Sequence, residues 1–148
     1  MSLTIKKISK AQLAEYVDIA YRGDEELLKR YHTAQHESVE SAVFSTMILI
    51  HDMSEAKELS YYKVCWNKEP IGYFVTFENV LYSFGIAIKK RKKEILEAWW
   101  SYVKFVLGKK FFSVLYDNNT RAISFLEKCG MKVVEHNLEN HSILLSCQ

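Results

Sequence analysis

The sequence predicts a single-domain α/β protein with a mixed central sheet of about six to seven strands flanked by helices. Its 148 residues suffice for one core, and 49% hydrophobic with 26% charged residues is typical of a globular domain. Apolar residues recur at helical spacing up to about residue 51, and strand-like runs follow from residue 61. A long helix between two later strands implies a crossover, and therefore one pair of parallel neighbours in the sheet.

The first third of the chain is predicted to be mostly helical. Ser9 is a favourable N-cap for the first helix, in which Leu13 and Val17 share one face. Asp24 is placed to cap a second helix that runs through Tyr31. The other predicted elements here are a strand over residues 4–8, helices over 10–22 and 37–51, and a loop over 52–60.

The rest of the chain predicts strands with two helices among them. A polar turn with a proline at residues 67–70 joins two strands. Gly108 and Gly130 end the two helices, because glycine readily adopts the left-handed conformation of a helix C-cap. The predicted elements are strands over residues 61–66, 71–78, 80–88, 111–116, 131–135 and 142–145, a helix over 91–107, and a helix from Asn118 or Asn119 to Cys129.

The charge of the chain is concentrated in one basic run. The formal net charge is +2, and because residues 89–93 contribute +5, the rest of the chain carries −3. This distribution indicates one anionic ligand or contact patch, and it does not indicate a surface that coats nucleic acid. No pair of cysteines has metal-site spacing, and His32 and His36, which would share a helix face, lack a third ligand. With no leader or membrane-spanning stretch, the chain is expected to be cytoplasmic and without a membrane partner.

One segment carries the clearest motif. From Asn119 the sequence reads NTRAISFLEKCGM. Asn119 can cap a helix and still offer its amide to a ligand, Ala122 permits close approach, and Gly130 ends the helix. This segment, together with the order of elements along the chain, resembles the N-acetyltransferases of the GNAT superfamily. The resemblance implies a GNAT-like domain over residues 1–148, with acetyl-CoA as co-substrate and a small-molecule or protein amine as acceptor.

The pyrophosphate loop of the family departs from its usual pattern in this sequence. The aligned stretch reads RKKEIL from Arg91, so the arginine is present and every glycine is replaced. Lysines at a helix N-terminus oppose the helix dipole by about 0.3–1 kcal/mol each, unless an anion binds there. We therefore expect weak, salt-dependent cofactor binding, with a solvated turn or a partner surface as the alternative. The implied cofactor-binding residues are Ala87, Ile88, Arg91, Lys92, Lys93 and Asn119, with strand N–H groups near the first two stabilising the oxyanion.

The acid and the base of the reaction are harder to assign. Where many family members have a tyrosine that protonates the leaving thiolate, this sequence has Leu126. Cys129 is the titratable neighbour, and a buried inert thiol is the alternative interpretation. Glu78 is the carboxylate of the hairpin over residues 71–88 and Tyr82 follows it, so these two are the candidate catalytic residues. Each also has a purely structural interpretation.

Three functional hypotheses follow from these observations. The first is a divergent acetyl-CoA-dependent N-acetyltransferase. The second is a catalytically degenerate GNAT-fold structural or interaction module. The lysine-rich loop and the missing tyrosine also resemble GNAT-like proteins of tailed bacteriophages. That resemblance implies a location in a virion or in the host cytoplasm, with protein partners in the phage particle. The third is a nucleic-acid contact protein. The loss of the loop glycines and of the tyrosine indicates that tight cofactor binding is no longer required. We therefore expect the gap between the strands near Ile88 and Phe111 to be narrowed, with Phe111, Phe112 or Trp99 as the side chains that could fill it.

Overall fold

The computed structural model describes residues 2–29 and 38–147, which form one mixed sheet with helices on both faces. The sheet contains seven strands in the order β1-β2-β3-β4-β5-β7-β6. All neighbouring pairs are antiparallel except β4 and β5. The strands are β1 Leu3–Ile8, β2 Ser60–Trp66, β3 Glu69–Phe77, β4 Val80–Ile86, β5 Phe111–Tyr116, β6 Lys132–Asn137 and β7 Ser142–Cys147. The helices are α1 Lys10–Tyr21, α2 Val39–Ala56, α3 Lys93–Leu107 and α4 Thr120–Lys128, with 3₁₀ turns at Glu25–Lys29 and Ile88–Lys90. The predicted fold class is confirmed.

Two hydrophobic clusters lie on opposite faces of the sheet. Phe74 and Val75 are consecutive residues of β3, and they belong to different clusters because side chains alternate along a strand. One cluster holds the buried residues of α1 and α2. The other holds those of α3 and α4, where the Trp99 ring lies 5.3 Å from Phe84 and the Trp100 ring lies 5.5 Å from Phe111.

Several predicted boundaries differ from the structure. The loop predicted over residues 52–60 is wrong, because α2 continues to Ala56, with the His51 ring 3.2 Å from Glu55 one turn later. After Asp24 only a 3₁₀ turn forms within the described residues, and Tyr31 lies outside them. Strand β4 ends at Ile86, where the chain turns, so α3 begins later than predicted.

Candidate functional site

The parallel strands β4 and β5 separate soon after they start. Their recorded pairing is limited to Val80 with Phe112 and Leu81 with Ser113, whose hydroxyl donates to the Leu81 carbonyl at 3.0 Å. The next residue, Tyr82, is the additional residue of a β-bulge, since Leu81 and Ser83 face consecutive residues of β3. A bulge bends its strand and increases the local twist. The strands therefore diverge toward their carboxyl ends.

A cavity of about 600 Å³ occupies this opening. Its walls include the carboxyl-terminal halves of β4 and β5, from Phe84 to Ile86 and from Val114 to Tyr116. The expectation that Phe111 or Phe112 fills the gap is wrong. Phe111 is fully buried against Trp100 and Phe112 is partly exposed, so neither lines the cavity, while Trp99 forms part of its wall. The predicted position near Phe111 is also wrong, because that residue begins β5 and the strands are parallel.

The backbone of β4 directs two amides into the opening. The Ala87 N–H donates to the Ile71 carbonyl at 2.8 Å and so extends the ladder with β3. Because alternate residues of a strand face opposite neighbours, the polar backbone groups of Phe84 and Ile86 face the β5 side. The Ile86 carbonyl accepts from Arg91 Nε at 2.8 Å, which agrees with a carbonyl that faces away from β3. The predicted oxyanion donor Ala87 is thus engaged in the sheet, and the amides at the opening are those of Phe84 and Ile86.

The loop between β4 and α3 does not require glycine for its conformation. None of residues 87–93 has a positive φ, and Lys92, the N-cap residue of α3, has φ −94° and ψ 149°. The first bond of the helix runs from Leu96 N–H to the Lys92 carbonyl at 2.9 Å. The amides of the first turn are therefore free of intrahelical bonds, as at any helix N-terminus. Replacing the family's glycines introduces side chains here without backbone strain.

Acidic side chains pair with three of the five cations in the basic run at residues 89–93. Lys90 Nζ lies 2.8 Å from Glu69, and Lys93 Nζ lies 3.8 Å from Glu97. Arg91 is directed to Asp24 at 2.9 Å, so it lies against the acidic residue in this structure. Lys89 and Lys92 have exposed side chains. The side chains free to approach an anion are thus lysines rather than Arg91.

A buried carboxylate joins the two sides of the opening. Asp24 is only 2% exposed, and it accepts from Arg91 at 2.9 Å and from Arg121 of α4 at 2.7 Å. Arg121 also lies 3.0 Å from Glu26. Asp24 and both arginines line the cavity. This bridge, the Asp24 cluster, links the loop after α1 to the end of β4 and to the start of α4.

Asn119 lines the cavity and has an unsatisfied, buried side-chain acceptor. Its carbonyl accepts from Ile123 N–H at 3.1 Å, as an N-cap residue should, but its side chain makes no capping bond. Its Oδ1 is buried and has no hydrogen-bond partner among the described residues. Ala122 and Phe125 follow on the same face of α4 and line the cavity. Leu126 points into the core and is fully buried.

The two candidate catalytic residues lie in different places. Glu78 is in the turn before β4, 64% exposed, and 3.1 Å from Lys57; it does not line the cavity. Tyr82 lines the cavity, and its hydroxyl lies 3.5 Å from the Leu49 carbonyl. Burial raises the pKa of Tyr82 above its usual value, and negative charge on Tyr116 or Asp52 would raise it further. Tyr82 therefore keeps its proton at neutral pH.

A row of four hydroxyl groups crosses the cavity wall on the α1–α2 side. The Thr46 and Tyr21 hydroxyls lie 2.8 Å apart, those of Tyr21 and Tyr73 lie 3.1 Å apart, and those of Tyr73 and Ser83 lie 2.8 Å apart. The sequence analysis missed this hydroxyl row. Its members come from α2, α1, β3 and β4 and have no common sequence pattern, so only the packing of these elements reveals it.

Two further features bear on the kind of site. Within residues 2–29 and 38–147, no group of three or more histidine, cysteine and acidic residues is arranged to hold a metal ion. None of the helices described here has the length and apolar character needed to span a bilayer.

Comparison with solved structures identifies the fold. An acetyltransferase from Thermus thermophilus matches with a TM-score of 0.71 at 13% identity, over 99% of this chain and 96% of that one. The paia N-acetyltransferase from Thermoplasma acidophilum, in complex with coenzyme A, matches with a TM-score of 0.65 at 16% identity, over 100% and 99%. A GNAT superfamily phosphinothricin acetyltransferase from Sinorhizobium meliloti, in complex with AcCoA, matches at 0.61 and 15% identity, over 99% and 88%.

The chain therefore has the GNAT fold, and at these identities the likeness concerns the fold alone. No protein-family model matches the sequence, and no curated protein matches it. The matches give no support to the expected phage origin or to a place in a virion.

Proposed function

We propose that this protein is an acetyl-CoA-dependent N-acetyltransferase acting on an amine. The observation that carries the proposal is the opening of β4 from β5 at the Tyr82 bulge, into a cavity where the buried Oδ1 of Asn119 has no partner among the described residues. A buried acceptor without a donor is costly by about 1–3 kcal/mol, so rotation of the Asn119 side chain toward a ligand that donates a hydrogen bond would be favourable.

The residues around the opening fit a thioester cofactor with a phosphate-bearing arm. The amides of Phe84 and Ile86 would bind carbonyl groups along the arm, and Asn119 Oδ1 would accept from an amide of it. The first turn of α3, with Lys92 beside it, would bind phosphate. When bound, acetyl-CoA would supply an activated acetyl group: the amine nitrogen forms the N–C bond, the C–S bond breaks, and the proton lost by the amine is balanced by one gained at sulfur.

Tyr82 is our candidate for the proton donor to the leaving sulfur. It lines the cavity at the bulge, and because burial raises its pKa it carries the proton that a general acid must have at neutral pH. Leu126 has no proton to give. Glu78, exposed and paired with Lys57 at the opposite end of β4, has no such position.

Calorimetry with coenzyme A tests the cofactor half of this proposal. Binding should weaken as salt rises, because side-chain cations contribute to it. The double variant Lys92→Ala, Lys93→Ala should lose about tenfold in affinity, or roughly 1.4 kcal/mol. Lys6→Ala, Lys7→Ala is the matched control, since these lysines are exposed on β1. Absence of binding heat at millimolar coenzyme A would overturn the enzyme proposal and favour an interaction module.

A further inference from the structure

The cavity also constrains the acceptor, and this inference rests on the proposed function. We propose that the acceptor is a small monoamine with an uncharged, apolar or aromatic body, rather than a polyamine or another polycation. The charge balance of the cavity and the chemistry of its walls both support this substrate class.

Among residues 2–29 and 38–147, the cavity wall offers no spare carboxylate for a second ammonium group. In the described part of the chain, its charged lining residues are Asp24, Arg91 and Arg121. Both guanidinium groups already bind Asp24, and Arg121 also pairs with Glu26 outside the lining, so Asp24 is already paired with two cations. A second ammonium group on an acceptor would lose its hydration without gaining a counter-ion, which is strongly unfavourable in a buried site.

The remaining wall on the α1–α2 side is aromatic, aliphatic or hydroxylic. Tyr21, Tyr73, Tyr82 and Tyr116 line it, and the hydroxyl row pairs the polar ends of the first two with Thr46 and Ser83. Tyrosine rings stack well on flat apolar groups and attract one cation through their faces. Because these hydroxyl groups hydrogen-bond to each other, fewer of their donors and acceptors are left to bind a highly polar acceptor molecule.

The apolar and hydroxylic wall on the α1–α2 side also favours the reactive form of a single amine. Burial disfavours the charged state of an ammonium group and so lowers its pKa. A monoamine that enters this cavity therefore loses its proton more readily and can attack the thioester without a carboxylate base. This agrees with the position of Glu78 outside the lining.

The test measures thiol release from acetyl-CoA with 2-phenylethylamine and with spermidine as probes. We expect kcat/KM to be about 100-fold higher for 2-phenylethylamine than for spermidine. This ratio corresponds to two tenfold steps in affinity. Leu49 lines the cavity and is 44% exposed, so its substitution should leave the fold intact. Leu49→Glu supplies the missing carboxylate and should shift the ratio toward spermidine by about tenfold, whereas the neutral control Leu49→Gln should not.

The outcomes separate the two proposals. Equal or better acetylation of spermidine by the unmodified protein would overturn the monoamine class while acetyl transfer stands. The same ratio in Leu49→Glu and Leu49→Gln would show that charge at the wall does not select the acceptor, and would also overturn it. No thiol release with either probe, together with no coenzyme A binding, would instead overturn the proposed function.

Discussion

Asp24→Asn should destabilise the fold far more than the same substitution at the partly exposed Asp18. Asp24 is 2% exposed and receives two guanidinium groups, whose side chains are 27% exposed for Arg91 and 40% exposed for Arg121. Asparagine has nearly the same shape, but it carries no charge and has one acceptor oxygen. The variant therefore keeps at most one of the two bonds and loses the charge assistance in both.

The magnitude follows from those contacts. A hydrogen bond to a charged group contributes about 1.5–3 kcal/mol. Arg121 is partly solvated and retains Glu26, and Arg91 retains the Ile86 carbonyl, so part of this loss is recovered. We expect the free energy of unfolding to fall by about 2–3 kcal/mol, somewhat less than the usual cost of breaking a buried ion pair, because part of the loss is recovered. For a chain of this size, Tm should fall by about 4–12 °C.

Urea unfolding followed by circular dichroism measures this change directly. The matched control is Asp18→Asn, which removes the exposed i,i+4 pair of Asp18 with Arg22 on α1 and should cost less than about 0.5 kcal/mol. If both variants unfold at the same urea concentration with the same slope, the Asp24 cluster does not stabilise the fold as described.

Three other perturbations test separate features of the structure. Tyr82→Phe should lower kcat by about 100-fold if its phenol protonates the leaving sulfur, with coenzyme A affinity unchanged by calorimetry; an unchanged kcat would remove Tyr82 from that role. Gly72→Ala should lower the free energy of unfolding by about 1–3 kcal/mol, because its Cβ would lie 2.1 Å from the Gly85 carbonyl oxygen, and full stability in urea would contradict that approach. Burial raises the pKa of the Cys129 thiol, so less thiolate is present at pH 8 and iodoacetamide should label it more slowly in the native protein than in urea; equal rates by peptide mass spectrometry would contradict this.

Local signals predicted the elements of this fold well. Strand β5 has the predicted bounds, and Gly108 and Gly130 end their helices with φ of 86° and 102°. Such features depend on residues that are neighbours in sequence, through periodicity and through the freedom of glycine. The fold class followed because the order of these elements leaves few possible sheet arrangements.

The electrostatics of the site were less predictable, because they depend on contacts between distant residues. Arg91 was expected to bind phosphate, yet its partner Asp24 lies 67 positions earlier in the chain, and Asp24 joins Arg121 across 97 positions. The bulge at Tyr82 is equally hidden, since no sequence signal marks one additional residue in a strand. The expected narrowing of the gap was inferred from the lost glycines and the lost tyrosine, which carry no information about this bulge.

The orientation of α4 about its own axis leads to a final prediction, which concerns the substitution Leu126→Tyr. The resemblance to GNAT proteins implies that Leu126 stands where a tyrosine would protonate the thiolate, but the helix turns this residue into the core, where it is fully buried, while Phe125 lines the cavity. A tyrosine there adds a ring to a packed core, at about 1–3 kcal/mol, and buries a hydroxyl without an assured partner, at about 1–3 kcal/mol more. We therefore expect Leu126→Tyr to lower Tm without raising the rate of thiol release. Phe125→Tyr is the matched control, because it adds one hydroxyl to a ring that already lines the cavity and should leave Tm nearly unchanged. A Leu126→Tyr protein of normal Tm and faster turnover would show that α4 presents residue 126 to the cavity when cofactor is bound.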